Sequence, residues 1–283
     1  MQLKTETIGP EAAERPEIVI ENDFRSMALS DLWQGVTRHE LWWTFALHEV
    51  KQRFRRSVLG PFWITLSTGI MIAALSFVMS QVFEQDLGAY VPYFATGMIF
   101  WTLLVSVITE GCTSFVDSEG YIKNVPMPLS VHFYRMVARN VIVWLHNMII
   151  YVAVFAIFIH SVDMNFLAFI PGFLLFLGTI ITAAFILAIV STRYRDLSQI
   201  VISGLQVVFF VTPVFWSVEA LPKRQAFVEW NPLFHLMQLV RAPLIGQWPD
   251  TKSWIVTAVI LFILVFVAGG LYRRTYARIP YWI

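Results

Sequence analysis

The sequence predicts an all-α integral membrane protein, and two observations support this fold class. Hydrophobic residues make up 57% of the 283 residues and charged residues only 14%, and the mean hydropathy is +0.65. A soluble domain carries roughly 25% charged residues, so this chain has too few to cover a surface that faces water. The charged residues are also clustered, with long uncharged stretches between the clusters. Lipid is therefore the expected solvent for most of the surface.

Six stretches contain no Asp, Glu, Lys or Arg and have 20 or more residues each. They cover residues 57–83, 87–109, 140–162, 164–192, 197–218 and 253–272. A helix rises about 1.5 Å per residue, so ~20 residues cross a hydrocarbon core of ~30 Å. The sequence therefore predicts six transmembrane helices, at about 57–83, 90–112, 137–160, 166–191, 198–218 and 253–272.

The positions of Lys and Arg predict the orientation of these spans. Twelve basic residues fall at one set of span ends, whereas the short loops around Glu84 and Asp163 at the other ends contain none. The twelve are Lys51, Arg53, Arg55, Arg56, Lys123, Arg135, Arg139, Arg193, Arg195, Arg273, Arg274 and Arg278. Because basic loops stay in the cytoplasm, we expect a multi-pass plasma-membrane protein with both termini cytoplasmic.

An amphipathic helix is expected just before the first span. Trp43, Leu47, Val50 and Phe54 recur at helical spacing, beside a polar stripe that ends in the basic cluster 51–56. The expected layout is a cytoplasmic tail over residues 1–30, an amphipathic interface helix over 31–56 and a transmembrane domain over 57–283. The helix is either a passive float in the interface or a surface for a cytoplasmic partner.

A re-entrant hairpin is expected on the outer side, between the fifth and sixth spans. The stretch 231–240 starts with Asn231, a good helix cap, and Pro232, which suits a first helical turn. It is too short to cross the membrane. Pro213, inside the fifth predicted span, should kink that helix.

Motifs for chemistry are absent from the sequence. It contains no GxxxxGK[ST], HExxH or GxSxG pattern, so we expect no catalytic residue and no phosphate-binding loop. The single cysteine, Cys112, gives no disulfide framework and no metal cluster, and a net charge of +1 does not favour nucleic acid. The predicted spans carry no carboxylate in their interiors, where ion-coupled transporters usually place one.

Five ordered stretches cover nearly the whole chain and resemble one family of membrane permeases. They are VKQRFRRSVLGPFW (50–63), PYFATGMIFWTLLVSVITEGCTSFVDSEGYIKNVPMP (92–128), RYRDLSQIVISGLQVVFFVTPVFW (193–216), NPLFHLMQLVRAPLIG (231–246) and RIPYWI (278–283). The family is that of the permease subunits of ATP-binding-cassette polysaccharide exporters, which export O-antigen, capsule and teichoic acid chains. Residues 1–30 fall outside the resemblance.

The resemblance implies the transmembrane subunit of an ATP-driven exporter of a lipid-linked polysaccharide. It implies a channel formed by two copies of the chain in the bacterial inner membrane, above two copies of a cytoplasmic ATPase subunit. That partner would hold ATP and Mg, while this chain would hold no cofactor and catalyse no reaction. Membrane lipids and the lipid-linked glycan are the other expected partners.

The resemblance also implies roles for particular residues. The expected ATPase contacts are Glu49, Arg53, Ser118, Glu119, Tyr121, Ile122 and Lys123. Arg53, Arg55 and Arg56 are candidates to meet the pyrophosphate of the substrate, because guanidinium groups bind such oxygens bidentately. Trp101, Phe210 and Trp216 are the candidate aromatics of the substrate channel.

Three other functions remain open. An ATP-driven exporter of a lipid or small molecule would have the same architecture. A secondary flippase is disfavoured because the predicted spans lack interior carboxylates. A membrane-embedded glycosyl- or acyltransferase is disfavoured because the spans contain no polar cluster.

The predicted orientation can be tested with single cysteines. An impermeant thiol reagent added outside intact cells should label Gly88→Cys, and Asn124→Cys should be labelled only after the membrane is opened. The unsubstituted chain, with Cys112 as its one thiol, is the control. The reverse labelling pattern would contradict the orientation that the basic residues predict.

Overall fold

The computed structural model describes residues 16–53, 55, 57–60, 62–158, 165–218 and 228–283, without the side chains of residues 16–25 and of Phe166. Within these ranges the chain is helical and contains no β-strand. The helices are α1 (Pro16–Thr37), α2 (His39–Arg53), α3 (Phe62–Val82), α4 (Leu87–Thr113), α5 (Glu119–Asn124), α6 (Leu129–Phe158), α7 (Phe166–Arg193), α8 (Leu197–Val211), α9 (Pro232–Leu244), α10 (Thr251–Thr275) and α11 (Ile279–Trp282). Short 3₁₀ turns precede α5 (Val116–Ser118) and α11 (Tyr276–Arg278).

Five of the described helices are long and apolar enough to cross a membrane, namely α3, α4, α6, α7 and α10. They match five of the six predicted spans, so an all-helical, multi-pass membrane protein is confirmed. The count of six spans is not confirmed. The predicted fifth span, 198–218, contains α8, whose 15 residues reach about 22 Å against a core of ~30 Å.

Proline explains the early end of α8. Thr212 leaves helical geometry with φ −89° and ψ 135°, the extended conformation that a following proline imposes. Pro213 also lacks the N–H that a further helical turn would need. The predicted effect of Pro213 was a kink, whereas the structure shows the helix ending there.

Helix α4 lies at the centre of the bundle. It packs between α6 and α7, and also contacts α3, α8 and α9. Gly111 permits the close approach to α7, because a Cβ there would stand 2.8 Å from the Cβ of Ala184. Phe100 packs edge-on against Phe173 and Phe176 and lies beside Trp144. Apolar contacts of α4 thus extend from Gly111, packed against Ala184, to the aromatic cluster around Phe100.

Helix α1 packs across the ends of α6 and α10. The predicted boundary at residue 30 falls inside α1, and residues 1–15 of the predicted tail lie outside the described residues. A turn at Arg38 separates α1 from α2. The predicted interface segment 31–56 therefore contains the end of one helix and the whole of another.

Asp31 of α1 caps the beginning of α6 from outside that helix. Its carboxylate accepts the backbone N–H of Leu129 at 2.7 Å and of Ser130 at 3.0 Å. Tyr272 of α10 donates its hydroxyl to the same carboxylate at 2.6 Å. First-turn N–H groups lack partners within their own helix and carry partial positive charge. Asp31, only 4% exposed, satisfies them and ties three helices together.

Helix α9 packs inside the bundle, against α7, α10 and α4. Asn231 caps it as predicted, accepting the N–H of Leu233 at 2.9 Å, and Pro232 occupies the first turn. At its other end, Tyr151 of α6 donates to the carbonyl of Leu244 at 2.8 Å. Its 13 residues reach about 20 Å, less than the hydrocarbon core. The re-entrant character of this segment stays a prediction.

Loss of the Asp31 carboxylate should destabilise the bundle. We expect Asp31→Ala to lower the free energy of unfolding by about 3 kcal/mol, because two backbone N–H groups and a buried hydroxyl lose a charged acceptor. This corresponds to a fall in melting temperature of roughly 6–12 °C, measurable by tryptophan fluorescence in detergent. The control is Asp250→Ala, because exposed Asp250 precedes α10 without a side-chain cap bond. Equal melting temperatures for the two variants would contradict the capping role.

Candidate functional site

Two surfaces at opposite ends of α4 contain most of the predicted functional residues. One is formed by α2, the turn Val116–Ser118 and α5, and is called the α2–α5 platform. The other is formed by α8 and by residues 212–218, which follow α8 and are called the 212–218 turn.

An ionic cluster anchors the α2–α5 platform to the bundle. Glu49 of α2 forms ion pairs with Arg135, at 3.0 Å, and with Arg139, both from α6. Arg139 also pairs with Glu110 of α4 at 2.8 Å, and Asn140 donates to the same carboxylate at 2.6 Å. Two acids and two bases thereby neutralise one another. All four ionic side chains are partly buried, so the cluster joins α2, α4 and α6 where water screens weakly.

Arg135 extends this cluster to α5. Its guanidinium donates to the hydroxyl of Ser118 at 3.0 Å and lies 5.5 Å from the ring centre of Tyr121. The Tyr121 ring also packs beside Phe45 of α2 and His132 of α6, each 6.2 Å away. Tyr121 is nevertheless 46% exposed. One arginine therefore fixes α5 against α2 and α6 and leaves an aromatic face open.

The outward side of α5 carries a charged pair. Lys123 bonds to Glu119 at 2.7 Å and donates to the backbone carbonyl of Ile283 at 3.0 Å. The Lys123 ammonium lowers the pKa of the Glu119 carboxyl, so Glu119 is ionised at neutral pH. Ile122 is partly buried against the core.

The predicted ATPase-contact residues thus divide into two groups. Arg53, Glu119, Tyr121 and Lys123 are exposed. Glu49, Ser118 and Ile122 are partly or fully buried and support them. The interpretation of Arg135 and Arg139 from sequence, as topology signals alone, missed their role in the ionic cluster.

The predicted pyrophosphate-binding arginines follow the end of α2. Arg53 is its last residue and Arg55 lies in the turn beyond it; both are exposed and neither pairs with another described residue. Arg56 lies outside the described residues. The structure therefore leaves two guanidinium groups accessible beside the beginning of the first span.

Side chains from α4 and α9 satisfy the carbonyls of the 212–218 turn. Tyr93 donates to Pro213 at 3.1 Å and to Trp216 at 3.0 Å, and Tyr90 donates to Phe215. Arg241 of α9, only 1% exposed, donates to Pro213 at 2.8 Å. Irregular backbone among apolar helices needs such donors because no water replaces them. Sequence reasoning missed all three donors, although a lone arginine within an apolar half-helix is a usable signal.

The guanidinium of Arg241 also fits a specific space between α4 and α9. It lies 4.1 Å from the centre of the Tyr93 ring, within the range of a cation–π contact. Gly97 of α4 leaves room for it, because a Cβ there would stand 2.5 Å from the guanidinium of Arg241 and 2.8 Å from the carbonyl of Val214. The 212–218 turn is therefore held in place by packing as well as by hydrogen bonds.

The three predicted channel aromatics occupy different environments. Trp101 is 5% exposed and packs against Phe209 at 5.5 Å between ring centres. Trp216 is 8% exposed and donates its indole N–H to the carbonyl of Phe210 at 3.2 Å. Phe210 is 66% exposed. Within this chain, only Phe210 of the three presents its ring at the surface.

Phe210 ends a stripe of exposed residues along α8. Gln199, Ser203, Gln206 and Phe210 recur at spacings of four, three and four residues and share one helix face, here called the α8 stripe. None of the residues of α8, all of which the structure describes, is buried. A mostly apolar helix thus presents three polar side chains and one aromatic ring on an uncovered face.

Comparison with known proteins identifies the family. A family model described as ABC-2 type transporter matches residues 40–245, which extend from α2 to the end of α9. The chain belongs to this family. The match contains the α2–α5 platform, the α8 stripe and the 212–218 turn; α1 and α10 lie outside it.

Two curated relatives share the same printed function. An O-antigen export system permease protein RfbA from Klebsiella pneumoniae is 23% identical over 206 residues, which are 71% of this chain and 76% of the relative. A protein of the same name from Myxococcus xanthus is 21% identical over 229 residues, 80% of this chain and 88% of the relative.

The family membership confirms the resemblance to permeases of ATP-binding-cassette transporters. The chain is a membrane subunit of such a transporter, and the family implies an ATP-binding partner subunit.

The ionic cluster can be tested by comparing two ion pairs. In a double-mutant cycle, we expect Glu49→Gln and Arg135→Gln to be coupled by about 1–3 kcal/mol, because they share one partly buried contact. The matched control is the exposed pair Glu119→Gln and Lys123→Gln, for which we expect no measurable coupling. Unfolding free energies from denaturant titration in micelles provide the readout. Additive effects at Glu49 and Arg135 would contradict the cluster.

Proposed function

We propose that this chain is the transmembrane subunit of an exporter that moves a lipid-linked polysaccharide from the cytoplasm across a bacterial inner membrane. The family membership and the printed function of the relatives support this substrate class. The structural observation that carries the proposal is the α8 stripe, because a polar and aromatic helix face suits a hydrated glycan better than lipid.

Two copies of the chain form the channel in this proposal. Gln206 lies nine residues after the start of α8, about 14 Å along the helix and near the middle of a ~30 Å core. A polar side chain exposed to lipid at that depth is unfavourable. A second copy facing the α8 stripe would enclose it around a water-filled path, in which the Phe210 ring can stack on the apolar faces of sugar rings.

The proposed sidedness also requires a sixth crossing. Termini on the same side of a membrane need an even number of crossings, and five long helices are described. We propose that α8 and the 212–218 turn together make the sixth. The hydrogen bonds from Tyr90, Tyr93 and Arg241 support this, because they let non-helical backbone lie within an apolar region.

Energy enters through the α2–α5 platform in this proposal. The sequence has no phosphate-binding loop, so hydrolysis belongs to two copies of a cytoplasmic ATPase subunit that hold ATP and Mg. Tyr121 gives that partner an exposed aromatic anchor, and Glu119 and Lys123 give it a polar rim. Because Arg135 ties Tyr121 to the ionic cluster, a push on α5 would reach α6 directly and α4 through Arg139.

The exposed guanidinium groups before the first span suit the charged end of the substrate. Arg53 and Arg55 are accessible, and a pyrophosphate would accept hydrogen bonds from both. We include Arg56 in this proposal from its place in the sequence.

The partner subunit provides the first test. The purified chain alone should hydrolyse no ATP, and Tyr121→Ala and Ile122→Ala should each reduce co-purification of the ATPase subunit several-fold. Trp230→Ala is the matched control, since Trp230 is 88% exposed at the opposite end of α4. ATP hydrolysis by the isolated chain, or full retention of the partner by Tyr121→Ala, would refute the proposed division of labour.

The α8 stripe provides the second test. We expect Phe210→Ala and Gln206→Leu to lower surface display of the glycan several-fold without changing basal ATP hydrolysis by the assembled transporter. Phe262→Ala on α10 is the control, because that ring is 75% exposed on a different helix. Normal glycan display by both α8 variants would exclude this face from the conduit. Reduced efflux of a labelled lipid with normal glycan display would favour a lipid exporter instead.

A further inference from the structure

A large apolar groove lies between α1 and the bundle, away from the α8 stripe and the α2–α5 platform. It has a volume of about 620 Å³, which is within the usual range of ligand pockets. Its lining includes Leu29 and Leu32 of α1, Phe133 of α6, Phe185 of α7 and Phe266 of α10, and we call it the α1–α10 groove. Asp31, between the two leucines in sequence, attaches α1 to α6 and α10, and α1 thereby forms one wall of the groove.

Two glycines keep the α10 side of this groove open. Phe266, Gly269, Gly270 and Arg273 lie on one face of α10, at i, i+3, i+4 and i+7. A Cβ added to Gly269 or Gly270 would meet no atom within 4 Å, so the chain itself does not fill this space. From Val265 to Arg273 the groove follows α10 for about 12 Å, most of the depth of one leaflet of a ~30 Å core.

A cation lies at one end of the groove. Arg273 is the first charged residue after the uncharged stretch 253–272, so it lies at headgroup level whichever side of the membrane it faces. It lines the groove, is exposed and forms no ion pair with another described residue. An apolar channel one leaflet deep, ending in a guanidinium that pairs with no other described residue, has the chemistry of a phospholipid site.

We propose that the α1–α10 groove binds an anionic phospholipid. One acyl chain lies along Gly269 and Gly270 and contacts Leu29 and Leu32, and the phosphate accepts hydrogen bonds from Arg273. Charge complementarity selects an anionic lipid, since a second positive group beside Arg273, such as the choline of a zwitterionic lipid, gains nothing from the guanidinium. The bound lipid adds an apolar contact between α1 and α10 to the attachment that Asp31 makes.

Native mass spectrometry of the purified full chain tests this site. Delipidated protein is titrated with phosphatidylglycerol or with phosphatidylcholine of the same acyl chains. We expect one tightly bound phosphatidylglycerol per chain, with at least tenfold preference over phosphatidylcholine. Arg273→Gln should abolish the preference, and Gly269→Leu should abolish retention of both lipids because its side chain fills the groove. Arg278→Gln and Gly120→Leu are the matched controls, being an exposed arginine and an unobstructed glycine outside the groove.

Three results would overturn the proposal. Retention of phosphatidylglycerol by Gly269→Leu equal to that of Gly120→Leu would exclude an acyl chain in the groove. Equal binding of the two lipids by the unsubstituted chain would exclude recognition of the anion. A disulfide between two copies of Gly270→Cys in a Cys112→Ser background would show that a second copy covers the groove, in place of lipid.

Discussion

Backbone N–H and C=O groups in a hydrocarbon core have no water to bond, and this constraint explains the arrangement of the polar side chains in the bundle. At two places where a helix begins or ends among apolar neighbours, other helices supply the partners. Asp31 of α1 does this for the beginning of α6, and Tyr90, Tyr93 and Arg241 do it for the turn after α8. Each set of bonds also joins separate helices. The same hydrogen bonds therefore satisfy backbone groups and hold the bundle together.

The two candidate surfaces share one helix. Glu110 near one end of α4 belongs to the ionic cluster of the α2–α5 platform, and Tyr90 near the other end holds the 212–218 turn. The two residues are 20 positions apart, about 30 Å along the helix, which is the thickness of the hydrocarbon core. The helix is buried on most sides and contacts both surfaces, so it physically connects the platform to the turn.

Much of the fold could be predicted because it depends on local composition. The uncharged stretches predicted α3, α4, α6, α7 and α10, since length and hydropathy alone decide which helices can cross. The end of α8 was harder to predict, because a proline such as Pro213 can either kink a helix or end it. A helix can end there only where other helices supply donors for the freed carbonyls, as Tyr93 and Arg241 do. Side-chain partners such as Asp31 with Tyr272 could not be read from the sequence, because no local pattern specifies contacts between distant helices. The exposure of Phe210 and the burial of Trp101 likewise depend on which helix packs against each ring.

The bond between Asp31 and Tyr272 has a consequence for the order in which the protein can be completed during synthesis. Tyr272 follows Asp31 by 241 residues, so at 5–20 residues per second it leaves the ribosome roughly 12 to 48 s later. Leu129 and Ser130 are synthesised well before that, so α1 can join α6 before α10 has been made. The Tyr272 hydroxyl, which donates to the same carboxylate, becomes available only when α10 has been made. A nascent bundle that still lacks α10 therefore keeps the Asp31 carboxylate without one of its hydrogen-bond donors.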